Sequence, residues 1–317
     1  MKDFINKINN KEDLTLNEMQ EAINLIMSGM SDDDDIESFL IGLNEKGVSE
    51  TEVTAAAIVM KEKSLKFDIG DGSHIDTCGT GGTGLHTFNC STASSFVAAA
   101  AGAKITKHGN KAISSKSGSA DFLAQSGANI NHERKKLISI FDQVGFVFLF
   151  APLHHQAMKY VMPARQKIAQ KTIFNLLGPL SNPAFVKRQM VGVFDKRWLL
   201  PFAEALKKMG STNAWIIHGR DGLDEVSISE ITDVVELKKG KISEFSLDPS
   251  FYGFEKKDLE TIKGGDPKYN AIELKELLNG KEGPYKDIVL LNSAAAIYIS
   301  GKVANLQAGI NLSLIHI

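Results

Sequence analysis

Between an apolar, strand-like stretch and a helical one, the run Asp76 to Thr92, DTCGTGGTGLHTFNCST, places four glycines in the six positions from Gly79 to Gly84. The chemistry suited to that spacing is anion binding. Residues without a Cβ accept positive φ and turn several backbone N–H groups toward one guest, and the helix that follows adds its positive end, so phosphate or pyrophosphate is the natural ligand. The pattern is neither GxGxxG with a downstream acid nor GxxxxGK[ST]. A purely structural turn uses glycine for the same steric reason, and this run alone leaves both readings open.

A second run, Lys107 to Ser119, reads KHGNKAISSKSGS. Lys107, Lys111 and Lys116 can neutralise phosphate, while Ser114, Ser115, Ser117 and Ser119 offer hydroxyl donors. A solvated basic loop would account for the lysines but not for His108-Gly109-Asn110 or the density of serine. The third run is HGRDGLDE, His218 to Glu225, in which Asp221-Gly222 makes a tight turn and Asp224 and Glu225 follow side by side. Neighbours on a regular strand point to opposite faces, so both carboxylates serve one site only if the backbone turns there. Hard oxygens beside a polyphosphate suit Mg²⁺, although adjacent acids are also common on surfaces.

The elements that must carry these runs read as an α/β chain. Ile75 to Cys78, Phe146 to Phe150, Met190 to Phe194 and Ala214 to Ile217 are expected as buried strands, with a short strand around Ile105. Thr92 to Ala103, Glu133 to Val144 and Arg197 to Met209 are expected as the helices between them. A hairpin is expected around Lys239-Gly240, and helices resume near Pro267. Before residue 70 the signatures are all helical: Thr15 with Glu18, Ser49 with Glu52, and Ser31 followed by Asp32 to Asp35. The four aspartates are read as first-turn acids opposing a helix dipole rather than as a metal site. The expected fold is therefore α/β, with a small N-terminal helical domain and a large domain around a mostly parallel sheet, whose ligands sit at the carboxyl ends of the strands.

At 317 residues the chain is long enough for one large domain plus a smaller one. Its net charge of -2 provides no overall field for nucleic acid, and no stretch is apolar enough to be read as a membrane span or export signal. Cys78 and Cys90 are the only cysteines, too few for a disulfide framework or a zinc site by themselves, and a cytoplasmic location is expected.

Together the three runs closely resemble the anthranilate phosphoribosyltransferase family. A fourth segment, PARQKIAQKTIFNLLGPLSNP from Pro163 to Pro183, resembles the family's most distinctive stretch, and the likeness runs from residue 14 to residue 309. Related nucleoside phosphorylases share a KHGN-like loop, whereas NLLGPLSNP separates the two. The resemblance implies a Mg²⁺-dependent transfer of phosphoribosyl from phosphoribosyl pyrophosphate (PRPP) to the amine of anthranilate, in tryptophan biosynthesis. It also implies a fold of the nucleoside phosphorylase and phosphoribosyltransferase type: a helical domain of residues 1–70, joined by helices from 155–185, and an α/β domain of residues 71–317. A homodimer through the helical domain follows from the same likeness.

Residue by residue, the resemblance assigns PRPP to Gly79, Gly82, Thr83, Thr87, Asn89, Cys90, Ser91 and Thr92 of the first loop. It adds Lys107, His108, Gly109, Asn110, Lys111, Ala112, Ile113, Ser114, Ser115 and Ser119 of the second. Anthranilate falls to Gly79, Asn110 and Arg165, of which only Arg165 can fork onto a carboxylate. Ser91, Asp224 and Glu225 become Mg²⁺ ligands. No general base is assigned, because an aryl amine is already neutral and nucleophilic near pH 7. Thr83 stands where the family usually has Asp, Ala169 and Lys171 where Gly and Arg are usual, and Gln156 where Pro is usual. The closing SLIHI does not resemble the family, and an altered or truncated end is expected there. Two rivals remain: a pyrimidine nucleoside phosphorylase, and a catalytically silent relative that binds nucleic acid, which would be expected to lose Asp224 and Glu225.

Overall fold

The computed structural model describes residues 1–70, 73–112 and 116–317. Four helices open the chain: α1 (Lys2–Asn9), α2 (Leu16–Met27), α3 (Asp33–Lys46) and α4 (Glu50–Glu62). Thr15 and Ser49 each close a capping box, with Glu18 and Glu52 as the spacing predicts. The acidic run begins its helix one residue later than Ser31 suggests. Asp32 is the N-cap and accepts the Asp35 N–H at 2.8 Å, a charge-assisted bond, while Asp33, Asp34 and Asp35 fill the first turn.

The chain then alternates: β1 (Ile75–Gly79), α5 (Cys90–Ala100), β2 (Ile105–Gly109), α6 (Ser119–Gln125), α7 (Arg134–Val144) and β3 (Phe146–Phe150). Three short helices follow, α8 (Ala151–His154), α9 (Met162–Ile168) and α10 (Phe174–Leu177). The remainder is β4 (Arg188–Gly192), α11 (Leu199–Lys208), β5 (Asn213–Gly219), β6 (Thr232–Lys238), β7 (Lys241–Leu247), α12 (Pro267–Leu278), α13 (Pro284–Ser300) and α14 (Leu306–His316). Two compact units result. Met1–Lys66 and Ala151–Phe185 form a helical unit, and Phe67–Phe150 with Val186–Ile317 form an α/β unit.

In the helical unit, α2 packs on α4, and α3 packs on both α1 and α9. Ile8, Met19, Ile23, Ile26, Phe39, Leu40 and Leu43 are fully buried. Buried among them is the carboxylate of Glu52, which accepts N–H groups from Leu14 at 2.9 Å and Ser49 at 2.8 Å and meets Lys46 at 3.0 Å.

The α/β unit is built on a seven-stranded sheet of order β3-β2-β1-β4-β5-β6-β7. The first five strands run parallel and the last two antiparallel, so the expected mostly parallel sheet is present. The hairpin turns at Lys239 and Gly240, both with positive φ, as a two-residue turn requires. Helix α13, buried along most of its length, packs on α5 and α14 and reaches β1, β4 and β5. Because β1 lies between β2 and β4, the order of winding reverses at β1, and the crevice outside the strand ends there is where such sheets bind ligands.

Some boundaries differ from those expected. β4 begins at Arg188 rather than Met190, since Arg188 and Gln189 pair in register with Ile75 and Asp76 although neither is apolar. α5 begins at Cys90 and ends at Ala100, where Gly102 at φ +87° turns the chain. The stretch from Lys196 to Trp198 is a 3₁₀ turn leading into α11.

Candidate active site

Four of the five parallel strands end on glycine, at Gly79, Gly109, Gly192 and Gly219. The reason is visible at β1 and β4. A Cβ on Gly79 would stand 2.5 Å from Asp224 Oδ2, and one on Gly192 would overlap the Asp224 backbone carbonyl. The turn that follows β5 therefore lies directly on the carboxyl ends of β1 and β4, and only glycine leaves room for it.

That turn is locally self-supporting. The Asp221 carboxylate accepts the Leu223 N–H at 3.2 Å and the Ser227 hydroxyl at 2.5 Å. Its next residues reach the first glycine loop: Gly81 N–H donates to Asp224 Oδ2 at 3.0 Å, and Ser91 N–H donates to Glu225 Oε1 at 2.9 Å. The backbone does turn, and both carboxylates serve one place. Burial and the neighbouring Asp224 carboxylate hold Glu225 up to about 8, against the pull of the Lys107 ammonium and the Ser91 N–H.

The second loop closes the other side. Lys107, only 2% exposed, donates from Nζ to the Thr77 carbonyl and, at 3.2 Å, to Ser91 Oγ. Its burial lowers its pKa, while Asp76 works in the opposite direction. His108 is buried on β2, and its backbone N–H donates to Asp76 Oδ1 at 3.2 Å. A Cβ on Gly109 would overlap Ser119 Oγ. Asn110 Oδ1 accepts the Lys111 N–H at 2.8 Å, and the Asn110 carbonyl accepts from Ala120 N–H at 3.1 Å and Ser119 Oγ at 3.3 Å. Asp121 gathers the neck of this loop, accepting the Ala112 N–H at 2.8 Å and the Gly118 N–H at 3.3 Å. Ile113, Ser114 and Ser115 lie outside the described residues.

Along the first loop, Gly81, Gly82 and Gly84 all take positive φ. Thr83 Oγ1 accepts the Leu85 N–H at 3.3 Å. Thr87 bridges to Lys263. Asn89 is the N-cap of α5 without a side-chain cap bond, Cys90 is buried, and the buried Thr92 hydroxyl has no hydrogen-bond partner among the described residues. The structure thus brings the first loop, the described part of the second and the acidic pair to one mouth of the sheet. Among the described residues no group of three or more His, Cys, Asp or Glu could hold a metal ion. Two carboxylates and the Ser91 hydroxyl nonetheless fit a hard divalent cation that takes its remaining ligands from phosphate and water.

In the helical unit, Arg165 lies on α9, partly buried, with no ion pair among the described residues. Nη2 donates to Asn175 Oδ1 at 3.3 Å, and the guanidinium lies 5.9 Å from the centre of the Phe174 ring. Burial lowers its pKa.

Family models for the glycosyl transferase family match twice, the helical bundle domain over residues 2–64 and the a/b domain over residues 71–317. An anthranilate phosphoribosyltransferase of Parvibaculum lavamentivorans is 46% identical over 296 residues, covering 93% of this chain and 86% of its own length. The chain belongs to the anthranilate phosphoribosyltransferase family. Solved structures of that family agree. The Thermus thermophilus anthranilate phosphoribosyltransferase superposes with a TM-score of 0.91 at 36% identity, covering 98% of this chain and 93% of that one. The Saccharomyces cerevisiae anthranilate phosphoribosyltransferase in complex with PRPP and Mg does so with a TM-score of 0.89 at 30% identity, covering 98% and 91%.

Residues that sequence reasoning missed are Asp121, Asn270 and Asn292. Asn292, fully buried on α13, accepts the Val226 N–H at 2.8 Å and donates to the Val226 carbonyl at 2.9 Å, gripping the residue after Glu225. A lone amide in a helix carries no motif. The available signal was an asparagine set between the apolar runs Ile288–Leu291 and Ala294–Ile297.

Proposed function

We propose that this chain transfers the phosphoribosyl group of PRPP to the amine of anthranilate, releasing pyrophosphate and N-(5-phosphoribosyl)anthranilate, a step of tryptophan biosynthesis, with Mg²⁺ as cofactor. The observation that carries the proposal is the pair of cross-loop bonds, Gly81 N–H to Asp224 and Ser91 N–H to Glu225, which set two carboxylates beside an anion-ready glycine loop. The relatives' names and the PRPP and Mg bound to the yeast protein support the same reading and favour anthranilate over a nucleoside as acceptor.

As pyrophosphate leaves the anomeric carbon, negative charge builds on its oxygens and positive charge on the ribose, so the task is mainly electrostatic. Gly79, Gly82, Thr83, Thr87 and the stretch from Asn89 to Thr92 hold the donor from one side with backbone N–H and hydroxyl groups. The stretch from Lys107 to Ala112 and Ser119 holds it from the other, with Lys107 supplying a preorganised cation, and the family resemblance adds Ile113, Ser114 and Ser115 to the donor's contacts. Ser91, Asp224 and Glu225 would hold a divalent cation, which when bound would supply positive charge beside the leaving group. Gly79 and Asn110 are the anthranilate contacts expected within the α/β unit, and the Arg165 guanidinium has the fork that a carboxylate takes. No side chain has to remove a proton before attack. The protein is read as a cytoplasmic homodimer paired through the helical unit. Loss of anthranilate fluorescence on mixing protein, PRPP and Mg²⁺ tests the proposal. Fluorescence that persists at micromolar enzyme with both substrates present would rule it out.

A further inference from the structure

We propose that Asn270 is a positioning residue for the phosphoribosyl donor, holding Asn89 in one amide orientation and so tying the two phosphate loops together. This inference rests on the proposed function and deepens it. Asn270 lies on α12, 181 residues along the chain from Asn89, and is fully buried. Its Nδ2 donates to Asn89 Oδ1 at 3.0 Å, and its own Oδ1 accepts the Gly265 N–H at 2.8 Å. Asn89 Oδ1 also accepts the Ser117 hydroxyl at 2.9 Å, while Asn89 Nδ2 donates to the Ser117 carbonyl at 3.1 Å.

These bonds determine which way the Asn89 amide faces. With two donors aimed at Oδ1 and an acceptor facing Nδ2, a flipped amide would oppose donor to donor and acceptor to acceptor. Asparagine is a preferred N-cap, yet here it makes no cap bond to α5 because its side chain is engaged across the loops instead. The second Nδ2 hydrogen has no partner among the described residues, which leaves it for a phosphate or ribose oxygen at the start of α5.

The backbone supports the same junction. Phe88 N–H donates to the Ile262 carbonyl at 3.1 Å, Gly264 N–H donates to the His86 carbonyl at 2.8 Å, and a Cβ on Gly264 would stand 2.7 Å from the Thr87 carbonyl oxygen. The segment before α12 thus lies against the exit of the glycine loop, and the Asn270 side chain adds a hydrogen bond from there to Asn89, which in turn bonds Ser117.

The test uses the full chain with Asn270→Asp, Asn270→Ala and Ser117→Ala, measuring KM for each substrate, kcat and the thermal midpoint. Asn270→Asp keeps an acceptor for Gly265 but loses the donor to Asn89, so a purely structural role predicts near-normal kinetics for it. Positioning predicts a KM for PRPP raised about tenfold with the KM for anthranilate within about twofold, the size of one hydrogen bond's contribution. Ser117→Ala should raise the same constant by a smaller factor, and it decides the matter if neither Asn270 variant folds. An unchanged KM for PRPP in the folded variants, or equal rises for both substrates, overturns the inference. If the wild-type chain transfers nothing, the proposed function fails instead. Calorimetric titration with PRPP then still reads the loop tie: weaker binding by Asn270→Asp supports it, and equal binding overturns it.

Discussion

The backbone N–H of Ser91, in the first turn of α5, donates to Oε1 of Glu225 across 2.9 Å, although 134 residues separate them in sequence. A carboxylate thus lies at the positive end of a helix and beside a second carboxylate, Asp224, so its charge is attracted and repelled at once. Asp224→Asn with Glu225→Gln keeps an acceptor for each N–H and removes the repulsion. Without divalent cation its thermal midpoint is expected to equal or exceed that of the wild type. Turnover with Mg²⁺ should fall by orders of magnitude, since a lost transition-state contact is worth roughly 3 kcal/mol in comparable sites. Near-normal turnover would remove the pair from the metal site.

The turn carrying these carboxylates is gripped from behind by Asn292. Asn292→Leu would leave the buried Val226 N–H and carbonyl without their partners. Each unsatisfied group costs about 1–3 kcal/mol, and a loss of about 3 kcal/mol in urea unfolding is expected. The Mg²⁺ concentration for half-maximal rate should rise in the same variant. A loss below about 1 kcal/mol would mean that water or another side chain takes over the contact.

Gly192→Ala should push the same turn from the front. The added Cβ meets Asp224 backbone, which cannot rotate away as a flexible side chain could. Overpacking of this kind costs about 1–3 kcal/mol. By contrast, a Cβ on Gly81 meets nothing within 4 Å, so Gly81→Ala bears only the strain of its φ of +62°, about 1–2 kcal/mol. If Gly192→Ala were the milder variant in Mg²⁺ dependence, the close approach would have no bearing on the acidic turn.

The parallel sheet, the hairpin at Lys239-Gly240 and the capping boxes at Thr15 and Ser49 were legible because each depends on local pattern. So were the glycine loop and the pair Asp224-Glu225, since adjacent residues advertise themselves. The start of β4 was hidden because Arg188 and Gln189 break the apolar run, and the pairing that keeps them in the sheet belongs to β1 and β5. Asn270 and Asn292 were hidden for a related reason: each does its work on a residue far away in sequence, Asn89 or Val226, and an isolated amide gives no spacing to read. The roles expected of individual residues rest on family resemblance, whereas the contacts between loops came only from the fold.

His155 offers a pH test within the helical unit. It is 3% exposed, and burial together with the neighbouring His154 lowers it to about 4, against a backbone hydrogen bond at Ser181 that raises it. Above pH 6.5 both folded and unfolded forms are neutral and nothing is lost. As pH falls from 6.5 toward 4, the unfolded chain takes up a proton that the native form refuses, and stability drops by up to about 3 kcal/mol. His155→Gln should flatten that part of the profile when urea midpoints are compared between pH 7.5 and pH 4.5. An equal slope in both proteins would place the acid sensitivity elsewhere.

Arg165 has its guanidinium partly buried, bonded to Asn175 and packed near Phe174, with no carboxylate paired to it among the described residues. A desolvated cation in that state gains from a small carboxylate ligand, and two parallel N–H donors match anthranilate better than a single ammonium would. Arg165→Ala is therefore expected to raise the KM for anthranilate by about tenfold or more, with a far smaller change for PRPP, in keeping with a lost charge-assisted bond of about 1.5–3 kcal/mol. Arg165→Lys keeps the charge but loses the fork, and its KM for anthranilate should fall between the two. Titration with benzoate and aniline as competitors separates the carboxylate from the amine: the alanine variant should lose sensitivity to benzoate and keep that to aniline. Equal loss to both, or a PRPP effect as large as that on anthranilate, would take Arg165 out of the acceptor site.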